Sequence, residues 1–450
     1  MTGVTVFCAL CLLLFVGKVV RVSVPFLQRL YLPSSVVGGL IGLVLVTCLG
    51  DRIPAEYTAM ARKVPGFLIN VIFATLFLGA VTPKVRDVLR HAFPQLCIGQ
   101  LIAWGQYVVG LGLAGFVFAK CFGVPPAFGN LLEMGFEGGH GTVGGMVESF
   151  RFFKWEDGIA LGFTMATAGM IIGIVLGMAM IQWAYRKGHV KQVVACADRA
   201  DFERRGIHPP EQRPDAGHQT VMCDSIDSLA WHLAVVGLAM LVGYGLLQGA
   251  QCAEVALFPR AEIRVFKGFP LFPLCMIGGV LLQAVAHRAK RSLLVDRGQM
   301  ERISGASLDF LVVAAVATIQ LKVVAANWQP LVILVLAGAA WSTWVVLFVA
   351  PRVFRDAWFE RAIAEFGQAT GVTATGLMLL RTVDPENRTP AAMSFGYKQL
   401  LHEPFMGGGI WTALAFTLVY GIGWLNVWLI SLAMLVVWGV AAFCLARRRG

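Results

Sequence analysis

Phe136-Glu137-Gly138-Gly139-His140-Gly141-Thr142-Val143-Gly144-Gly145-Met146 lies inside an apolar region long enough to enter a membrane. Five of the eight residues from Gly138 to Gly145 are glycine. Each glycine costs about 1 kcal/mol against alanine in a helix interior, so an unbroken helix here would lose roughly 5 kcal/mol. The stretch also carries a carboxylate and an imidazole, both costly in hydrocarbon. Backbone that leaves the helix at membrane depth must be buried in protein or line a watery cavity. We read the stretch as a helix break that forms half of a solute-binding site.

The chain around it has 450 residues, 57% hydrophobic and only 14% charged. Soluble domains carry about 25% charged residues, so the composition is that of a polytopic membrane protein. The net charge of +11 comes from Lys and Arg in short loops beside apolar runs. That is the positive-inside pattern, and it does not point to nucleic acid. The opening run 1–17 lacks a basic n-region and leads into further spans, so no cleavable signal peptide is expected. Cys8 and Cys11 have no His or further Cys beside them, which reads as packing and not as a metal or redox site. No Gly-x4-Gly-Lys-Ser/Thr is present, so ATP is not expected to drive this chain.

Windows of about 20 apolar residues mark the spans. They fall at 3–20, 34–50, 66–82 and 94–119, then a broken stretch at 125–150, then 158–185. A polar segment, 186–227, reads as a cytoplasmic linker. The second half gives 228–249, 268–286, 304–324 and 329–350, a second broken stretch at 362–382, then 390–420 and 424–446. Pro33-Ser-Ser-Val-Val-Gly38-Gly39-Leu40 returns as Pro273-Leu-Cys-Met-Ile-Gly278-Gly279-Val280, each opening a span. Thr142-Val-Gly-Gly145 returns as Thr373-Ala-Thr-Gly376 inside the two broken stretches. We therefore expect an all-α polytopic membrane protein with two inverted repeats, 1–185 and 228–422. Each repeat has five transmembrane helices and one broken re-entrant hairpin, and 423–450 forms an extra C-terminal helix and basic tail. With re-entrant hairpins, the N-terminus is outside, the C-terminus is cytoplasmic, and Lys and Arg concentrate on the inner side. Inverted repeats with matching Gly-interrupted segments point to the binding site of a secondary transporter.

The second break, Phe366-Gly367-Gln368-Ala369-Thr370-Gly371-Val372-Thr373-Ala374-Thr375-Gly376, alternates small residues with hydroxyls. Its freed carbonyls and Thr oxygens suit Na⁺, and half-helix N-termini suit a carboxylate. At these residues the chain resembles the bacterial sodium/glutamate symporter family. The likeness lies in Gly138-Gly139-His140-Gly141-Thr142, Gly371-Val372-Thr373-Ala374-Thr375, Phe73-Ala74-Thr75, and the Pro33, Val36, Gly38, Gly39 opening of the second span. Where the family has a small Ser before Gly-Gly-His, this chain has Glu137. Where the family has a mostly apolar span after the second hairpin, this chain reads Tyr397-Lys398-Gln399-Leu400-Leu401-His402-Glu403-Pro404.

The resemblance implies Na⁺-coupled uptake of glutamate or a related small carboxylate or amino acid by alternating access. It also implies a homodimer in the bacterial cytoplasmic membrane, with a hairpin-bearing domain sliding against a scaffold as in an elevator. Gly138, Gly139, His140, Gly141, Thr142, Gly371, Thr373, Thr375 and Lys398 are the candidate substrate-binding residues. Glu137, Gln368, Thr370 and Glu403 are the candidates for ion or proton coupling. Lys398 either binds a substrate carboxylate or pairs internally with Glu137, and the Thr hydroxyls either bind solute or bond back along their helices. No cofactor beyond Na⁺ is expected, its ligands stay open, and no metal site or enzyme activity is expected. The alternative is a proton-coupled carrier of another small solute using Glu137, Glu403 or His140.

Overall fold

The computed structural model describes residues 2–29, 32–80, 85–190, 201–259, 264–385 and 387–447, and every regular element among them is a helix. Parts of the expected layout lie outside the described residues: 1, 30–31 and 81–84 of the first repeat, 191–200 of the linker, 260–263 and 386 of the second repeat, and 448–450 of the basic tail. The first half runs α1 (Thr2–Ser23), α2 (Ser34–Leu49), α3 (Val64–Thr75), α4 (Val85–Gly112), α5 (Leu131–Phe136), α6 (Gly139–Gly145), α7 (Val147–Phe152) and α8 (Asp157–Arg186). After the linker come α9 (Ser228–Leu257), α10 (Phe272–Arg288), α11 (Arg297–Ala317), α12 (Leu321–Ala326), α13 (Trp328–Trp344) and α14 (Trp358–Val383). The last three are α15 (Ala391–His402), α16 (Ile410–Gly421) and α17 (Trp424–Arg447). Six helices are long and apolar enough to cross a membrane, and three further apolar helices are shorter. The chain is a multi-pass membrane protein.

Glycines set how closely the helices approach. A Cβ on Gly38 would lie 2.3 Å from the Leu13 carbonyl oxygen, and one on Gly278 would lie 2.2 Å from that of Ala239. α2 therefore meets α1 as α10 meets α9. Small residues allow such contacts where water supplies no driving force between helices. α4 and α13 also share a feature: each continues into a π-helical turn, at Leu113–Phe118 and Val345–Val349.

Two segments double back. Phe128 and Phe150 both pack on Trp155, with ring centroids 6.4 and 5.6 Å away, although an unbroken helix between them would extend about 33 Å. In α14 the chain leaves helical geometry at Gly371 and Val372. A Cβ on Gly367 would lie 2.7 Å from Gly376 Cα, whereas nine helical steps cover about 13 Å. α8 runs alongside both segments. The first starts at its Trp155 end. The second starts at the other end, where His189 packs between Trp183 and Trp358 at 5.3 and 5.1 Å. Their tips meet beside the middle of α8, where a Cβ on Gly169 would lie 2.5 Å from the Thr370 carbonyl oxygen and 2.6 Å from Phe136 Cδ1.

Several expected spans differ in detail. The glycine run is largely helical as α6, and the interruption falls at its first residue, Gly139, which takes φ 68°. Burial against α8 and α3 supplies what glycine propensity lacks. The stretch 390–420 is two helices, because Pro404 has no N–H to donate and Gly407 and Gly408 turn with φ 65° and 105°. The stretch 304–324 divides after Ala317, where the Thr318 hydroxyl bonds back to the Ala314 carbonyl at 2.8 Å. The third span is helical only to Thr75, and Arg297 Nη1 caps its end by donating to the Leu76 carbonyl at 2.7 Å.

Linker residues dock on one end of the bundle. Lys18 Nζ donates to the Gly206 carbonyl at 2.7 Å, and Thr220 Oγ1 donates to that of Leu294 at 2.9 Å.

Gly38→Ala and Gly278→Ala are expected to lower stability by about 1–3 kcal/mol each, the usual cost of overpacking. Gly237→Ala and Gly249→Ala, with open space beside them, should leave it unchanged or raise it. Thermal unfolding of the four purified variants in detergent checks this contrast.

Candidate functional site

Three helix interruptions converge on one place. They are 137–139 between α5 and α6, 371–372 within α14, and 403–409 between α15 and α16. A Cβ on Gly139 would lie 2.4 Å from Val372 Cγ1, and one on Gly408 would lie 2.2 Å from Thr142 Oγ1. Val372 adopts φ 62°, ψ 172°, a region that costs a β-branched residue about 1–3 kcal/mol and is held only where its surroundings impose it.

A chain of buried polar groups runs through this junction. Gln95 Nε2 donates to Glu365 Oε1 at 2.9 Å, and Glu365 Oε2 lies 3.1 Å from Lys398 Nζ. The ammonium donates to Gln399 Oε1 at 3.0 Å and also to Gln368 Oε1. Gln368 passes the link to the first break by donating from Nε2 to Glu137 Oε1 at 2.9 Å. His402 Nε2 meets the same Glu137 oxygen. Gln100 carries the chain outward: its Oε1 accepts from Trp104 Nε1 at 2.8 Å, and its Nε2 reaches His402 Nδ1 at 3.1 Å. Because the Gln100 amide donates to Nδ1, His402 carries its proton on Nε2, facing Glu137.

One cluster lies beside this chain and a second branches from it. Glu133, one turn before Glu137, accepts from Tyr107 at 2.6 Å, from the Gly407 N–H at 2.8 Å and from Thr412 at 2.9 Å. Gln399 Nε2 donates to Thr373 Oγ1 at 2.6 Å and to Glu403 Oε1 at 2.8 Å, and Thr373 donates to the same Glu403 oxygen. Gln399 is buried, but Thr373 and Glu403 are half-buried and adjoin the exposed Ala374 and Phe405, so the network reaches the surface there. Three carboxylates, Glu137, Glu365 and Glu403, are thus tied to one lysine, directly or through Gln368 and Gln399. Among the described residues, Glu137 Oε2 is buried with no hydrogen-bond partner.

The sequence candidates divide between this junction and its supports. Glu137, Gln368, Thr373, Lys398 and Glu403 share the network. Gly138, Gly139, Gly371 and Thr142 form the tips, with Thr142 bonding back to the Gly138 carbonyl at 2.9 Å. Thr370 likewise bonds back, to Phe366 at 2.7 Å, and Thr375 is buried beside it. His140 stands apart from the carboxylates. Its Nε2 meets Thr167 Oγ1 at 2.9 Å, whose hydroxyl is committed to the Phe163 carbonyl, so Nε2 is the donor. Gly141 packs near Ile69. Lys398 pairs with Glu365, and Gln368 bridges it to Glu137.

Sequence reasoning passed over Glu133, Glu365, His402, Tyr107 and the glutamines of α4. The available signal was helical spacing. Glu133 and Glu137 lie four apart and Glu365 and Gln368 three apart, each pair sharing a face inside an apolar stretch.

The comparison with known families reads the same segments. The chain belongs to the sodium/glutamate symporter family. The family model matches residues 1–383, which takes in both doubled-back segments and ends with α14. As a symporter family member the protein is a transporter, with Na⁺ as the coupling ion the family implies. Lys398, Gln399, His402 and Glu403 follow the matched region. No curated protein matches the chain.

Tyr107→Phe should destabilise this symporter family member by about 1.5–3 kcal/mol, because Glu133 Oε2 would lose its donor in a buried place. Denaturation followed by tryptophan fluorescence, against wild type, measures the loss.

Proposed function

We propose that the protein is a Na⁺-coupled symporter that imports glutamate or a related small carboxylate or amino acid by alternating access. The observation that carries this reading is the meeting of two helix breaks, from opposite ends of α8, against a buried network richer in carboxylate than in ammonium. Such breaks free backbone N–H and carbonyl groups at membrane depth, the groups from which transporters build solute and ion sites. An acidic network that must also admit an anionic solute calls for a mobile cation, and the unpartnered Glu137 Oε2 offers one a place.

In this proposal the two doubled-back segments are re-entrant hairpins at corresponding positions of inverted repeats 1–185 and 228–422, with 186–227 as a cytoplasmic linker and 423–450 as an added helix. The paired Gly38 and Gly278 contacts and the paired π-turns support that repeat. The tip residues Gly138, Gly139, His140, Gly141, Thr142, Gly371, Thr373 and Thr375 bind solute. Glu137, Gln368, Thr370 and Glu403 serve the coupling ion. The protein works as a homodimer in the bacterial inner membrane, N-terminus outside, with the hairpin-bearing part moving against a scaffold. Lys398 stands in the proposal as an internal cation, because its ammonium is ion-paired with Glu365 and donates to Gln368 and Gln399.

A second reading rests on the His402 contact with Glu137, a pair able to share one proton. In it the carrier is proton-coupled and Glu137 is the proton site.

Reconstituted protein should take up labelled glutamate, or a competing amino or dicarboxylic acid, at least about tenfold faster with an inward Na⁺ gradient than with choline. Uptake that follows a pH gradient and ignores Na⁺ selects the second reading. Uptake of no member of the panel rejects both. Glu137→Ser should change the ion dependence of uptake; an unaltered dependence makes Glu137 structural.

A further inference from the structure

Lys398 Nζ sits in a cage of three oxygens. Glu365 Oε2 is 3.1 Å away and Gln399 Oε1 is 3.0 Å away, with Gln368 Oε1 completing the set. The lysine and Glu365 side chains are both fully buried. Gly99 makes the room: a Cβ there would lie 2.4 Å from Lys398 Cε and 2.7 Å from Glu365 Oε2. The Phe395 ring, 5.8 Å from Nζ, stands over the ammonium. One carboxylate and two amide carbonyls are the hard-oxygen donors an alkali cation takes inside a transporter. The cage is also placed where a coupling ion would act. Glu365 and Gln368 belong to the first arm of the α14 break, and Gln368 holds Glu137 of the other break in the same amide.

We propose that the Lys398 ammonium is a tethered cation that permanently fills one alkali-ion position, so that this carrier couples transport to one fewer mobile ion than its oxygen cages would accept. A lysine delivers the positive charge that the acidic network requires, yet it cannot dissociate. The position therefore neutralises Glu365 in every step of the cycle and draws no energy from an ion gradient. The inference rests on the cation-coupled reading above and deepens it: the other ion site, at Glu137, is the one left to a mobile cation.

The test removes the tether and asks whether a free ion takes its place. Full-length Lys398→Ala is purified in detergent and its thermal unfolding is compared in Na⁺ and in choline at equal ionic strength, beside wild type and Lys398→Ala/Glu365→Gln. Lys398→Ala should gain a Na⁺-specific rise in melting temperature at least about 3 °C larger than wild type's, as expected when an ion binds only the folded state. The double variant, with its cage uncharged, should lose that gain. A lysine with a purely structural role predicts equal destabilisation in both salts, and that result overturns the proposal. So does a gain that survives Glu365→Gln. Should Lys398→Ala fold poorly, recovery of monodisperse protein in Na⁺ but not in choline supports the proposal, and recovery in neither overturns it. Wild-type uptake that ignores Na⁺ would reject the proposed function, while the comparison between variants reads ion binding alone, so the two failures are distinguishable.

Discussion

Polar backbone cannot be left unpaired in hydrocarbon, and that requirement organises the centre of this protein. The chain breaks helical geometry at Gly139 and again at 371–372, and each break lies against the other, with Gly139 on Val372. α8 is long enough to receive one segment along its first half and the other along its second, and its Gly169 and Gly173 let both tips come close. The strained Val372 is held by the same packing. Remove the partner break and each tip would expose carbonyls and N–H groups with nothing to meet them.

The charges follow from that meeting. A carboxylate alone at membrane depth is costly, and one that loses its partner after burial is costlier still. Glu365, Lys398, Gln368, Glu137 and His402 solve this jointly, each side chain meeting the next across two or more helices. Gln368 is the hinge of the arrangement, since one amide serves both the ammonium and the carboxylate. The network passes through the buried Gln399 and ends at the half-buried Thr373 and Glu403, so the buried charge has a route to the surface.

Much of this is legible in the chain itself, for physical reasons. The Gly138–Gly145 composition marks the first break, since glycine density and charge conflict with an unbroken helix in lipid. The Pro/Gly repeat marks α2 and α10 as counterparts, and both use the first glycine of the matched pair for close helix contact. The differences have a common cause. Composition locates the break within the glycines, but burial against α3 and α8 lets those glycines stay helical and moves the interruption to their N-terminal side. Hydropathy likewise makes 390–420 a single span, because three glycines and one proline barely lower an average, although they suffice to end one helix and begin another.

The amino-acid sequence by itself determined that this is a multi-pass helical membrane protein of the sodium/glutamate symporter family, because hydropathy, small-residue motifs and breaks are local properties of the chain. Which charges face each other was decided only by tertiary structure. Lys398 sits one residue from Gln399 and five from Glu403, yet its ion-pair partner is Glu365, 33 residues earlier and on another helix. Glu137 finds His402 across 265 positions. Those pairings depend on how far α14 folds back and where α15 lies against α4, and no local pattern encodes either.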